Sequence, residues 1–216
     1  MKVYFISGLA ADSRVFNNIK LPGGYEPIYL DWITPQEKET LKSYALRLSG
    51  KIDPTQHFVL VGLSMGGMIA IEIAKLYPPV TTIIVSSIPN SDQFPPHFRL
   101  AGYLGLHTLI PARLFKSLSI INRYFNPDTR EDKIILKQII KDSDPRFIKW
   151  AIGAILSWRN HIIPQPLLQI HGSADRLLPA RYTNPTHLIS NGGHLMIMNK
   201  ANELNKILEE ALISLN

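Results

Sequence analysis

Short apolar runs alternate with stretches of helical period through residues 1–90. Val3-Tyr4-Phe5-Ile6 ends at Ser7-Gly8 and reads as a strand, and Pro27-Ile28-Tyr29-Leu30 reads as another after the Leu21-Pro22-Gly23-Gly24 turn. Lys38 to Leu48 carries Leu41, Tyr44, Ala45 and Leu48 at helical spacing and stops at Gly50, as a helix does at a residue free to turn back. Phe58-Val59-Leu60-Val61 is continuously apolar, which predicts a strand buried on both faces. Met65 to Tyr77 is a mostly apolar helix closed by Pro78-Pro79, and Thr82-Ile83-Ile84-Val85 is again a buried strand. Strands and helices alternating in this way build a parallel sheet from right-handed crossovers.

From Ser91 to Ile163 the strand signal stops, and four helical patterns follow: Phe98 to Ile110, Ala112 to Phe125, Thr129 to Lys141 and Pro145 to Trp158. Asp128 with Thr129, and Asp144 before Pro145, supply starts for the last two. Leu167-Leu168-Gln169-Ile170 resumes the strand pattern and Thr186-His187-Leu188-Ile189 adds another. Ala201, Leu204, Ile207, Leu208, Ala211, Leu212 and Leu215 form the apolar stripe of a further helix. The expected fold class is α/β: a mostly parallel six-stranded sheet with flanking helices. Its core spans 1–90 and 164–216, with a helical cap inserted at 91–163 and no internal repeat.

Composition narrows the chemistry. At 216 residues, 45% hydrophobic and 19% charged, the chain suits one folded core rather than disorder. With no cysteine, it has no disulfide scaffold, thiolate metal site or thiol nucleophile. The net charge of +6 is concentrated: residues 97–160 hold eleven Lys/Arg against five Asp/Glu, and the remainder balances. These cations show no adjacent run and no Arg/Gly/aromatic pattern, so nucleic acid is not an expected partner and they read first as a solvated face. A pull on anionic substrate is the alternative reading. No apolar run reaches the roughly 18 residues of a membrane span, and the expected location is the cytoplasm. Met1 to Ala11 faintly imitates a signal peptide but reads better as an edge of the fold.

The chemistry begins at Gly62-Leu63-Ser64-Met65-Gly66, a G-x-S-x-G sequence between a buried strand and a helix. Such a turn strains the serine backbone, and its glycines let strand and helix approach closely. A hydroxyl nucleophile needs a base within hydrogen-bond reach, and that base needs an orienting group. His194, in Ser190-Asn191-Gly192-Gly193-His194 after the last predicted strand, lies at the same end of the sheet as Ser64. His57 precedes a strand and belongs at the opposite end. His97, His107 and His161 fall in the insertion, and His187 and His171 fall in or at the end of strands, where packing or loop shaping is expected. Asp175 in the loop His171-Gly172-Ser173-Ala174-Asp175 is the expected acid. Asp92, after the fourth strand, is the competitor, with capping of the first insertion helix as its plainer role.

These motifs resemble the α/β-hydrolase superfamily over essentially the whole chain: the elbow Gly62 to Gly66, the acid loop from His171-Gly172 to Asp175, the Gly193-His194 loop, and helices inserted between nucleophile and acid. The order Ser64, Asp175, His194 is that of this fold. The resemblance implies an oxyanion hole from the backbone N–H groups of Met65 and Leu9. Many relatives have His-Gly where Ser7-Gly8 stands, and the usual first two antiparallel strands are missing ahead of Val3, so the fold looks minimal. It further implies a small-molecule acyl substrate, hydrolysis of a carboxylic ester or thioester, and no metal or organic cofactor. Peptidase, carbon–carbon hydrolase and lyase chemistry share the same residues, and a non-enzymatic ligand receptor is the alternative of a different class.

Overall fold

A computed structural model describes residues 1–105 and 129–215. The expected helix at 112–125, the end of the one expected at 98–110, and His107 lie outside the described residues. Six strands form one sheet: β1 (Lys2–Ile6), β2 (Glu26–Tyr29), β3 (Phe58–Leu63), β4 (Thr81–Val85), β5 (Leu167–Gly172) and β6 (His187–Ile189). Their order is β2-β1-β3-β4-β5-β6, and every adjacent pair is parallel. β1 therefore has a neighbour on both sides instead of forming an edge. The edge strands are β2, whose Pro27 lacks the N–H that would invite another strand, and the three-residue β6.

Side chains alternate across the sheet, so each strand feeds two cores. Tyr4, Ile6, Leu60 and Ile84 face α1 (Leu41–Leu48) and α2 (Met65–Ala74), whereas Val3, Phe5, Val61, Val85 and Ile170 belong to the other layer. That second layer contains Phe16, Leu204, Leu208 and Leu212, the last three from α7 (Ala201–Ile213), which follows the short α6 (Met196–Asn199). α1 starts three residues later than its periodicity predicts. The Thr40 side chain accepts the Ser43 N–H, with Ser43 reciprocating, and this capping box sets the boundary.

Between β4 and β5 the described residues form α3 (Pro96–Tyr103), α4 (Arg130–Asp142) and α5 (Pro145–Ser157). Thr129 caps α4 and Asp144 caps α5 ahead of Pro145, as expected from their sequence. The insertion straddles the molecule: Leu136 and Ile139 of α4 enter the α7 layer, whereas Phe147 and Ala151 of α5 enter the α1–α2 layer. Its return is anchored by a buried polar group on α2. Glu72 accepts the Trp158 indole N–H at 2.8 Å and pairs with Lys75 at 2.7 Å, and Lys75 bonds the Asn160 side chain. Among the described residues no helix is long and apolar enough to cross a membrane.

Candidate active site

The chain leaves β1 toward β2 on one side and later returns past it to β3 on the other. The carboxyl ends of β1 and β3 thus form a topological switch point, where loops diverge and leave a crevice. Ser64 follows β3 there with φ 52° and ψ −118°, a conformation costly for a residue with a Cβ. Its neighbours hold it: the Ser64 N–H donates to Val85 O at 2.9 Å, and its carbonyl accepts the Ser87 hydroxyl at 2.6 Å. The two motif glycines are required by space. A Cβ on Gly62 would collide with the Gly66 carbonyl, and one on Gly66 would collide with the carbonyls of Ile6 and Ser7. The second contact seats the start of α2 against the end of β1, bringing the serine and the Gly8–Ala11 turn together.

That turn is closed by Ala11 N–H to Gly8 O at 3.0 Å, with Ala10 at φ 54°. The Ala11 carbonyl accepts both the buried Ser7 hydroxyl at 3.0 Å and the Trp32 indole N–H at 2.8 Å. Gly8 runs so close to Ser64 that an added Cβ would touch Ser64 Cβ at 3.4 Å. Met65 is the first residue of α2, so its N–H has no acceptor within the helix. Leu9 and Met65 therefore stand on the two walls of the crevice. Arg14 connects the turn to the insertion, pairing with Asp12 at 2.6 Å and with Asp142 of α4 at 2.8 Å. A small cavity of about 40 Å³ is lined by Ser7, Asp12, Tyr29, Asp31 and Trp32.

The other two predicted residues arrive at the same place from β5 and β6. His194 Nδ1 lies 2.8 Å from Asp175 Oδ2, and its Nε2 lies 2.9 Å from Ser64 Oγ. A carboxylate can only accept, so Nδ1 carries the proton of the neutral ring and Nε2 accepts from the serine hydroxyl. Asp175 is buried, and its Oδ1 accepts the N–H groups of Leu177 and Leu178, both at 2.9 Å. Burial pushes its carboxyl up, but attraction to His194 and the bonds from His194 and Leu178 outweigh this, holding it below the usual carboxylate range.

The competing acid lies elsewhere. Asp92 is exposed and pairs with exposed His161 at 3.0 Å, and the cap at that point comes from the Asn90 side chain on Gln93 N–H. His171 is fully buried, and its Nε2 lies 2.7 Å from Leu178 O and 3.4 Å from Asp175 Oδ2. Sequence reasoning also missed Trp32, Ser87 and Arg14. Trp32 and Ser87 each follow a strand at its carboxyl end, which was the available signal.

The family model described as the alpha/beta hydrolase family matches residues 23–206. Among solved structures, the chain is similar to a thermophilic esterase from Thermogutta terrifontis, with a TM-score of 0.75 at 18% identity over 100% of this chain and 90% of that one. It is similar to MenH from S. aureus, with a TM-score of 0.74 at 19% identity over 96% and 91%. A lipase-esterase related protein from Clostridium acetobutylicum gives 0.69 at 18% identity over 96% and 92%. No curated protein matches the sequence. With the family model spanning most of the chain and the overall fold shared with these structures, the chain belongs to the alpha/beta hydrolase family.

Proposed function

We propose that the chain is a serine hydrolase of small carboxylic esters or thioesters, acting through an acyl-enzyme on Ser64. The observation that carries this reading is the bridge made by His194, with one ring nitrogen on Ser64 Oγ and the other on the ionised Asp175. His194 Nε2 takes the hydroxyl proton as Oγ attacks the carbonyl carbon. The Met65 and Leu9 N–H groups receive the developing oxyanion, and Asp175 stabilises the imidazolium. Collapse breaks the bond to the leaving alcohol or thiol, which takes the proton from His194. Water then adds to the acyl-enzyme by the same route and releases the acid and free Ser64. Similarity to an esterase and to a lipase-esterase related protein supports an ester as the substrate class.

A fluorophosphonate probe is expected to label Ser64 in the purified protein, and a panel of nitrophenyl esters and acyl thioesters of varied length to reveal turnover. Ser64→Ala is expected to lose labelling and to lower turnover by about 10⁶-fold. Near-normal hydrolysis by the alanine variant would overturn the serine mechanism.

A further inference from the structure

The described acid loop contains a second imidazole that the mechanism above leaves unused. His171 sits one residue before the end of β5, with no exposure to solvent. Its Nε2 faces two atoms that can only accept, Leu178 O at 2.7 Å and Asp175 Oδ2 at 3.4 Å. The proton of the neutral ring therefore resides on Nε2. Leu178 closes the loop from the other side, because its own N–H donates to Asp175 Oδ1. The Asp175 carboxylate is thus surrounded: two backbone N–H groups on Oδ1, His194 Nδ1–H on Oδ2, and the His171 N–H dipole alongside Oδ2.

We infer that His171 is a positioning residue for Ser64 chemistry: its Nε2–H ties Leu178 to β5 and fixes Asp175 Oδ2 at the distance that orients His194. The inference rests on the hydrolase reading above and extends it to the residue that sets the acid. His171 touches no reacting atom and acts only through Asp175 and the loop. That N–H, donated to Leu178 O, also lies alongside Oδ2, with Nε2 3.4 Å away, and its positive end draws off some of the negative potential that His194 experiences. The ionisable groups bearing on His171 among the described residues are Asp175, from the loop after β5, and His194, from the loop after β6. His194 in turn faces Asp175, His171 and Ser64.

The test uses the rate at which a fluorophosphonate labels Ser64 across pH, which needs no knowledge of the natural substrate, together with kcat and KM for p-nitrophenyl butyrate. His171→Asn places its amide where Nδ1 was and leaves Leu178 O without a donor, whereas His171→Gln returns an amide N–H to the Nε2 position. The asparagine variant is expected to label more slowly, by up to about 10²-fold for a misplaced acid–base pair, with kcat reduced and KM little changed. Its acid limb should move to higher pH, because Oδ2 loses the opposing dipole. The glutamine variant should recover both rate and limb. Folded His171→Asn with the wild-type rate and acid limb would overturn the inference and leave the hydrolase reading intact, whereas absence of Ser64 labelling in the wild-type protein would overturn both. The wild-type protein provides a check that no folding defect can obscure. Long-range ¹⁵N–¹H spectra are expected to show His171 as the Nε2–H tautomer at neutral pH, and an Nδ1–H tautomer there would also overturn the inference.

Discussion

Asp175 lies between an imidazole that must become charged during the proposed reaction and another that must stay neutral. Replacing its carboxylate with an amide removes the charge and offers a donor to His194 Nδ1, which favours the wrong tautomer. Asp175→Asn is therefore expected to lower kcat by about 10⁴-fold while the circular dichroism spectrum is preserved. Asp92→Asn should stay within a few-fold of wild type in the same ester assay, since it removes only an exposed contact with His161. Sequence alone left these two acids in competition, because both follow strands at the same end of the sheet. What separates them is which loop the fold brings to Gly192–His194, and this is set by strand order rather than by local residues. Ser64 was more legible: its glycines, preceding strand and following helix are all contiguous, and each is needed for the turn to close.

At the scale of elements, the Gly8–Ala11 turn depends on partners remote in the chain. Ser7 and Trp32 both donate to Ala11 O, and Trp32 packs its ring on Phe147 of α5 at 5.2 Å between centroids. Trp32→Phe keeps an aromatic ring there and removes the N–H. The turn should then hold Leu9 less firmly, lowering kcat by about 10-fold, less than the 10² or more for loss of an oxyanion donor itself, with KM nearly unchanged. A kcat equal to wild type would mean that Ser7 alone holds the turn. Strands were easy to locate because buried parallel strands are continuous apolar runs, as in Phe58–Leu63. The start of α1 was harder to place than those of α4 and α5, since the Thr40–Ser43 exchange, not periodicity, decides where it begins. The stapling of the turn by Trp32 was less legible: its place after β2 puts it at the right end of the sheet, but nothing near it in sequence signals a partner at Ala11.

Two properties belong to the molecule as a whole. The first is stability against acid. Burial holds His171 below its ordinary pKa of 6.5, outweighing the attraction of Asp175, so the unfolded chain takes up a proton more readily than the folded one. This contribution is complete above about pH 6.5 and diminishes as the pH falls from there toward the lowered folded value. Urea midpoints should accordingly drop on mild acidification, and His171→Gln should flatten that dependence. A midpoint that rises on acidification over the same range would contradict the neutral buried ring. The second property is the field. Arg99, Arg130, Lys133, Lys137, Lys141, Arg146, Lys149 and Arg159 of the insertion are all exposed. Hydrolysis of a carboxylated ester should therefore lose kcat/KM as salt rises, while a neutral ester of equal size changes little, because screening acts within about 8 Å at physiological ionic strength. Equal salt slopes would reduce these cations to a solvated surface.

The strand order has a consequence for synthesis of the chain. β4 is flanked by β3 and β5, yet β5 is made only after the whole insertion, about eighty residues later, which at roughly 5–20 residues per second is a wait of several seconds. During that interval a nascent chain carries Thr-Thr-Ile-Ile-Val with one row of backbone N–H and C=O groups unpaired, in a segment with no charge and no proline. Until β5 arrives, this edge is open to strands of other chains, which makes it the point where chaperone capture and aggregation compete with productive folding.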